Sequence, residues 1–235
     1  MKKLILFLFA LLAYNSSAQS IIGGWEMKGV TAQGDSTRSI LIFAEGYQVL
    51  TTYNLKTGDF MSTNGGTWSL NGNTMTEKVE FATENPEMVG QEFSFEIEYT
   101  ANTLSIVGTG DVLNRIDNGT EGALSGAWLM SGRKRNGEIQ SRDTTRPRKT
   151  MKILSGTRFQ WIAYDTEKKT FSGSGGGTYT TVDGVYTENI EFFSRDVTRV
   201  GASLNFDFEL VDGAWHHSGL SSKGSPIYEI WSKRK

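Results

Sequence analysis

The chain of 235 residues contains no cysteine. This absence excludes disulfide bonds, thiol nucleophiles, thiolate zinc sites and a lipid-modified N-terminal cysteine. Prolines number only three, whereas 27 glycines are spread along the chain without a three-residue period, which excludes collagen and predicts many turns. The formal net charge of −2 gives no overall reason to expect nucleic acid as a partner.

Long apolar runs are also missing, apart from one at the N-terminus. Lys2 and Lys3 precede an apolar run at 4–13, and the small residues Ser16 and Ala18 follow it. This order predicts a signal peptide over residues 1–18, with Gln19 as the first residue of the mature chain. Because ten residues are too few for a helix to cross a bilayer core of about 30 Å, we expect no transmembrane segment and a periplasmic or secreted protein.

The rest of the chain is a repeat of itself. At a constant offset of 111 residues, positions 53–108 match positions 164–219 at 14 of 56 places, whereas unrelated sequences would match at about 3 or 4. Gly23-Gly24-Trp25 and Gly126-Ala127-Trp128 correspond further upstream. The repeat predicts a first domain over 19–116, a linker over 117–123 and a second domain over 124–235.

Within each copy the hydrophobic period is two. Phe93, Phe95, Ile97 and Tyr99 alternate with acidic or polar residues, as expected for a strand with one packed and one wet face. Turn dipeptides separate such runs: Asn71-Gly72, Asn136-Gly137, Asp183-Gly184 and Asp212-Gly213. The pattern predicts an all-β protein made of two tandem antiparallel up-and-down β-barrels, each with about eight strands.

The two Gly-x-Trp motifs, followed by an up-and-down series of strands, resemble the lipocalin-like (calycin) barrels, and in particular exported bacterial lipocalin-like proteins whose ligands are not defined. The resemblance implies that Trp25 and Trp128 each plug one end of a barrel. It also implies that a basic residue of the last strand packs over each tryptophan, namely Arg115 in the first copy and Lys233 or Arg234 in the second. Barrels of this family generally hold small apolar ligands.

Two glutamates at equivalent positions are the candidate polar groups of the barrel interiors. On period two, Glu77 and Glu188 fall on the apolar face of their strands, whereas Glu80 and Glu191 are predicted to face solvent. A carboxyl on an apolar face is either held by a structural partner or has a raised pKa, and we expect the raised pKa for Glu188. Paired with Glu229, Glu188 would suit a carboxylate-dependent hydrolase.

The function favoured by these patterns is that of an exported, non-catalytic binding protein with a small apolar or amphipathic ligand in a barrel cavity. The alternatives are the carboxylate-dependent hydrolase and a surface or assembly module without a cavity. No catalytic residue, metal site or cofactor is predicted. A metal site is not expected because adjacent His216 and His217 point to opposite faces, and both are expected at a barrel rim. The predicted ligand-binding residues are Met75, Glu77, Phe93, Phe95, Trp161, Tyr186, Glu188 and Phe206.

Two further segments carry distinct expectations. The run Gly173–Gly177 lacks the lysine and helix of a phosphate loop and is predicted to be a flexible turn. Charge is uneven, because residues 19–123 carry a net −9 and residues 124–235 a net +5, with basic residues concentrated in Arg133–Lys149. This basic segment is predicted either to bind an anionic polysaccharide or lipid head group, or to face the acidic strand of Glu92, Glu96 and Glu98 in the first copy, or the neighbours of that strand.

Overall fold

The computed structural model describes residues 20–120 and 122–234, so the predicted signal peptide lies outside the described residues. The described chain is all-β: it forms seventeen strands and two short 3-10 turns, at Pro86–Met88 and Val197–Arg199. Within these residues, no helix combines the length and the apolar character that a membrane crossing requires.

The first eight strands form a closed antiparallel barrel in which each strand pairs with the next and the last pairs with the first. They are β1 (Gly23–Val30), β2 (Ser36–Ala44), β3 (Tyr47–Asn54), β4 (Phe60–Asn71), β5 (Thr74–Ala82), β6 (Glu92–Tyr99), β7 (Thr103–Ile106) and β8 (Val112–Asp117).

The second barrel repeats this order and closes through pairing of its first and last strands, with one additional strand, β10, paired only to β9. Its strands are β9 (Gly126–Arg135), β10 (Glu138–Ser141), β11 (Arg148–Leu154), β12 (Arg158–Asp165), β13 (Thr170–Val182), β14 (Val185–Phe193), β15 (Ser203–Val211), β16 (Ala214–Leu220) and β17 (Pro226–Lys233). The predicted fold class is therefore confirmed, and the two barrels in tandem are consistent with a lipocalin-like fold.

Each Gly-x-Trp tryptophan is buried in its barrel and is covered by a basic side chain. The indoles of Trp25 and Trp128 are buried and donate to the carbonyls of Ile21 and Leu124, at 2.9 and 2.8 Å. The Arg115 guanidinium lies 3.9 Å from the centre of the Trp25 ring. In the second barrel the covering group is the Lys233 ammonium, 5.9 Å from the Trp128 ring.

The glycine run Gly173–Gly177 lies inside strand β13 and is not the flexible turn predicted from the sequence. The register shifts between Gly176 and Gly177, which makes a β-bulge, and the first barrel has the same shift between Gly65 and Gly66. A Cβ on Gly177 would lie 1.9 Å from the Asn189 carbonyl oxygen, so this bulge has room only for glycine. The predicted turn at Asp183-Gly184 does connect two strands, with φ of 50° and 79°.

The barrels pack against each other through an apolar core to which both contribute. Tyr53 stacks on Phe192 with ring centres 5.1 Å apart, Phe81 packs on Tyr164 at 4.8 Å, and Phe60 stacks on Phe171 at 5.6 Å. These contacts relate repeat-equivalent residues, because an offset of 111 converts Tyr53 into Tyr164, Phe60 into Phe171 and Phe81 into Phe192. The shared core is completed by aliphatic residues such as Ile40, Ile42, Met151, Ile153 and Ile162.

Glu80 and Glu191 lie at this interface, and the prediction that they face solvent is wrong. The Tyr164 hydroxyl donates to Glu80 at 2.5 Å, and the Tyr53 hydroxyl donates to Glu191 at 2.5 Å. Arg234 pairs with Glu80 at 2.8 Å, and Arg158 with Glu191 at 2.5 Å. The outer faces of β5 and β14 meet the other barrel here, and each carboxylate has a tyrosine and an arginine as partners.

The basic segment Arg133–Lys149 does not pair with the acidic strand β6. Among the described residues, two ion pairs join the barrels: Arg234 with Glu80, and Arg38 with Glu191 at 3.2 Å. No ion pair in this part of the chain joins Arg133–Lys149 to Glu92, Glu96 or Glu98. The contact between the barrels consists of the shared apolar core and these ion pairs, and not of a pairing between the basic segment and β6.

Candidate functional site

The second barrel contains a cavity of about 230 Å³. Its wall is largely apolar and includes three of the predicted ligand-binding residues, Trp161, Glu188 and Phe206. The aromatic wall is ordered by ring contacts, for example between Trp161 and Phe193 at 5.3 Å. Tyr186, a fourth predicted residue, is fully buried among Phe159, Phe206 and Trp215, where it supports the wall.

A buried ion pair crosses this cavity. The Lys152 ammonium lies 2.7 Å from the Glu188 carboxylate, and each residue is only 5% exposed. The Tyr186 hydroxyl also donates to Glu188, at 2.8 Å. Four aromatic rings surround the ammonium, with centres 4.9 to 5.9 Å away in Tyr186, Phe206, Trp215 and Trp231. Glu188 is therefore a compensated charge, and the prediction of an unpaired, desolvated carboxyl is wrong.

A second polar pair lies beside the first. His217 is 2% exposed, so its predicted place at the rim is wrong, and its Nδ1 lies 3.3 Å from Glu229. Burial, and next the Lys152 charge, lower the pKa of His217. Burial tends to raise the pKa of Glu229, but the His217 hydrogen bond and Lys152 outweigh it and lower that pKa. A neutral imidazole donates from Nδ1 to the carboxylate, which leaves Nε2 as a buried acceptor without a partner in the described chain.

Three arginines that lack ion-pair partners among the described residues lie near this cavity, although none of them lines it. Arg148 lies on β11 on the same face as Thr150 and Lys152, which both line the cavity. The Arg142 guanidinium contacts the sulfur of the lining residue Met130 at 2.9 Å. Burial, then the charges of Arg133 and Arg148, lower the pKa of Arg142. Within the described residues none of these three arginines has a carboxylate at ion-pair distance, so we call Arg133, Arg142 and Arg148 the arginine rim.

The first barrel brings the other predicted residues together. Glu77, Phe93 and Phe95 line a hollow of about 300 Å³ at the barrel mouth. Met75, Glu77 and Phe95 line a smaller inner hollow of about 80 Å³. Seven of the eight predicted residues thus line cavities: four line the two hollows of the first barrel, and three line the cavity of the second.

A larger cleft, of about 670 Å³, lies between the barrels, but its two basic side chains are already engaged. It is bordered by Tyr47, Lys233 and Arg234 and by main chain at several glycines. Arg234 binds Glu80 and covers the Tyr47 ring at 4.0 Å, and Lys233 covers Trp128. We therefore place the candidate sites inside the barrels, where buried polar groups meet apolar walls.

Sequence reasoning missed Lys152 and the interior position of His217. The signal for Lys152 is a charge between the apolar residues Met151 and Ile153, in the buried half of its strand. The signal for His217 is its spacing of two from Trp215, which places both on one face of β16. No cluster of three or more potential metal-ligating residues occurs in the described parts of the chain.

The comparisons add no family to this geometry. No family model matches the chain. The search of curated proteins also gives no matching relative. The function must therefore be argued from the two cavities.

Proposed function

We propose that the protein is an exported, non-catalytic binding protein whose second barrel holds a small anionic amphiphile. The apolar body would lie against the aromatic wall of the cavity, and the acidic head group would contact the arginine rim. The observation that carries this proposal is an apolar cavity with three arginines nearby, none of which has a carboxylate at ion-pair distance among the described residues.

Size and charge both support this ligand class. A cavity of about 230 Å³ lies just below the range of about 300 to 1,000 Å³ typical of drug-sized ligands, so the occupant is small. Guanidinium groups bind carboxylate or phosphate with paired hydrogen bonds. Burial and then the neighbouring charges of Arg133 and Arg148 lower the pKa of Arg142, and an anion beside these arginines would relieve their repulsion.

The hydrolase alternative is less well supported by the same residues. Acid–base cleavage of a glycosidic bond needs one carboxyl that keeps its proton, and this carboxyl normally has a raised pKa. The pKa of Glu229 is lowered, and Glu188 already accepts hydrogen bonds from Lys152 and Tyr186. The cavities themselves weigh against a surface or assembly module without an interior site.

Calorimetric titration of the mature protein with octanoate and 1-octanol tests the proposal. We expect octanoate to bind at least tenfold more tightly at low salt and to lose part of this advantage in 0.5 M NaCl, because exposed charges are screened. Arg142→Gln with Arg148→Gln should abolish the preference for octanoate. Arg195→Gln, which removes a charge elsewhere on the second barrel, should leave it unchanged.

Two outcomes would contradict the proposal: equal affinity for octanoate and octanol, or a preference for octanoate that survives the loss of Arg142 and Arg148. Native mass spectrometry of the protein purified from its own host gives an independent check. An acidic amphiphile retained by the intact protein but not by the double variant is the expected result.

A further inference from the structure

The first barrel has an interior site whose chemistry is opposite to that of the second. Its two hollows, of about 300 and 80 Å³, share Asn64, Glu77 and Phe95 as lining residues. Glu77 thus lies where the mouth and the interior of this barrel meet. Around it the walls are mainly apolar, with Phe93 and Met88 on the mouth side and Leu41 and Ile97 on the inner side.

Comparison of the two copies shows what Glu77 lacks. Glu77 and Glu188 are repeat equivalents, and Glu188 is neutralised by Lys152. Lys152 lies across from Trp128 in the β9–β11 register, and Leu41 lies across from Trp25 in the β1–β2 register. Leucine therefore stands in the first barrel at the place of the ammonium-bearing residue of the second.

The residues that line the hollows of the first barrel include hydrogen-bond acceptors but no basic side chain. Glu77 has no ion pair or hydrogen bond among the described residues, and burial alone raises the pKa of its carboxyl to about 7. Gln48, which is 3% exposed and lines the inner hollow, has an Oε1 without a hydrogen-bond partner in the described chain. The one other ionisable residue in these linings is also acidic, Glu84 at the mouth.

We infer that the first barrel binds a small organic cation, an alkylammonium, whose charged nitrogen pairs with Glu77 and takes the place that the Lys152 side chain fills in the second barrel. Its N–H groups would donate to the Glu77 carboxylate and to Gln48. Its apolar chain would fill the mouth hollow beside Phe93 and Phe95.

Two further features of the molecule support a cation. In the second barrel the Lys152 ammonium lies among aromatic rings, and Phe95 is the repeat equivalent of one of them, Phe206. The first barrel also belongs to the acidic half of the chain, with its net charge of −9 over residues 19–123. Such a surface raises the local concentration of cations around the opening.

The test is calorimetric titration with octylammonium chloride, with 1-octanol as the uncharged probe of equal chain length. We expect octylammonium to bind at least tenfold more tightly than octanol at pH 8. Glu77→Gln should remove this preference, since it keeps the shape of the side chain and removes its charge. Glu98→Gln makes the same change of charge on the exposed face of β6 and should have no effect.

The pH dependence gives a second readout. Glu77 must be ionised to pair with the ammonium, and Glu84 is the other titratable group facing the hollows. With a pKa of about 7, the ionised fraction falls about tenfold between pH 8 and pH 6, and the affinity for octylammonium should fall by about the same factor. The affinity for octanol should not fall, and Glu84→Gln should keep the pH profile.

Leu41→Lys gives the first barrel a lysine at the position that Lys152 has in the second. If this variant folds, its own ammonium should pair with Glu77 and block octylammonium while the second barrel still prefers octanoate. Equal binding of octylammonium and octanol by the parent protein, or binding of octylammonium that persists unchanged in Glu77→Gln, would overturn the inference. The arginine-rim variants leave the first barrel intact, so a failure of the octanoate prediction is separable from a failure of this one.

Discussion

Glu77 has no compensating partner among the described residues, and this affects the stability of the protein. Burial raises its pKa from the ordinary 4.5 to about 7, so the folded protein binds a proton there more tightly than the unfolded chain does. The stabilising effect of that proton is fully present below the unfolded pKa and is lost as the pH rises through about 7. At pH 8 the ionised carboxyl therefore destabilises the empty protein.

We predict that Glu77→Gln stabilises the ligand-free protein at pH 8 by up to about 3 kcal/mol, the free energy that corresponds to this change in pKa. The advantage should shrink as the pH is lowered toward 5. Urea unfolding at both pH values measures it, with Glu98→Gln as the matched control. A destabilised Glu77→Gln at pH 8 would mean that the carboxylate has a partner in the folded protein.

Glu188 has the same place in the repeat and the opposite expected response. Removing one member of a buried ion pair leaves the other charged and uncompensated, which typically costs about 3–5 kcal/mol. We therefore predict that Glu188→Gln destabilises the protein at neutral pH by several kcal/mol because it strands the Lys152 ammonium, which is 5% exposed. Combining it with Lys152→Leu, the residue found at the equivalent position 41, should recover most of the loss in urea unfolding. Additive losses in the double variant would contradict a coupled pair.

At the scale of single elements, both barrels have a glycine bulge at equivalent positions, in β4 and in β13. A Cβ at Gly66 would lie 1.9 Å from the Lys78 carbonyl oxygen, and one at Gly177 would lie 1.9 Å from that of Asn189. Both contacts are with main chain, which cannot move aside without breaking the pairing of β4 with β5 or of β13 with β14. After each bulge, the residues that follow in β4 and β13 continue to pair with the neighbouring strand in the shifted register.

We predict that Gly66→Ala and Gly177→Ala each lower stability by more than about 2 kcal/mol, well above the change of less than about 1 kcal/mol that glycine-to-alanine exchange causes at unstrained strand positions. Gly29→Ala is the control, because its Cβ would meet only the Thr37 side-chain oxygen, at 3.1 Å. Thermal unfolding followed by circular dichroism measures all three variants. Equal effects for Gly29 and Gly177 would show that the bulge does not need glycine.

The elements also show where sequence reasoning works and where it stops. Alternation of apolar and polar residues, together with dipeptides such as Asp183-Gly184, predicts the strands and their hairpins because both depend on local chemistry. The same alternation puts Glu77 and Glu188 inside their barrels. It does not reveal that Lys152, 36 residues before Glu188, would meet it across the interior, since that contact depends on barrel closure.

The predictions for the glycine run and for the two glutamates Glu80 and Glu191 are wrong for a related reason. Gly173–Gly177 has the composition of a turn, but packing of Trp161 and Phe192 against the strand selects glycine there. Glu80 and Glu191 do lie on the outer faces of their strands, as the period of two requires. A second barrel covers those faces, and no local pattern in the sequence encodes that arrangement.

On the scale of the whole molecule, the two barrels meet as the subunits of an isologous dimer would. Tyr53 donates to Glu191 of the second barrel, and its repeat equivalent Tyr164 donates to Glu80 of the first, while Phe60 stacks on its own equivalent Phe171. The same patch of each barrel thus contacts the same patch of the other, which defines a pseudo-twofold axis. Asp117, at the end of β8, accepts hydrogen bonds from the Ser155 hydroxyl and the Gly156 N–H of the second barrel, at 2.8 and 2.9 Å.

This architecture determines the response to salt. Apolar burial is not screened by salt, and the carboxylates that join the barrels are at most part-exposed and have tyrosine and arginine partners. We predict that the radius of gyration from small-angle scattering stays constant between 20 mM and 1 M NaCl. An increase with salt would instead support assembly by the charge difference between the two halves of the chain.

We expect acid, unlike high salt, to weaken the contact between the barrels. Burial works to raise the pKa of Glu80 and of Glu191, but hydrogen bonds and charges from Arg234, Arg158 and the two tyrosines outweigh it and hold both pKa values below the ordinary range. The stability that these carboxylates contribute is therefore present above the unfolded pKa near 4.5 and is lost as the pH falls through the lower folded values. We expect the radius of gyration to stay constant down to about pH 5 and to rise only in stronger acid. Glu191→Gln should move that rise to higher pH, whereas Glu98→Gln should not. A rise in both variants at the parent protein's pH would place the acid-sensitive group outside the interface.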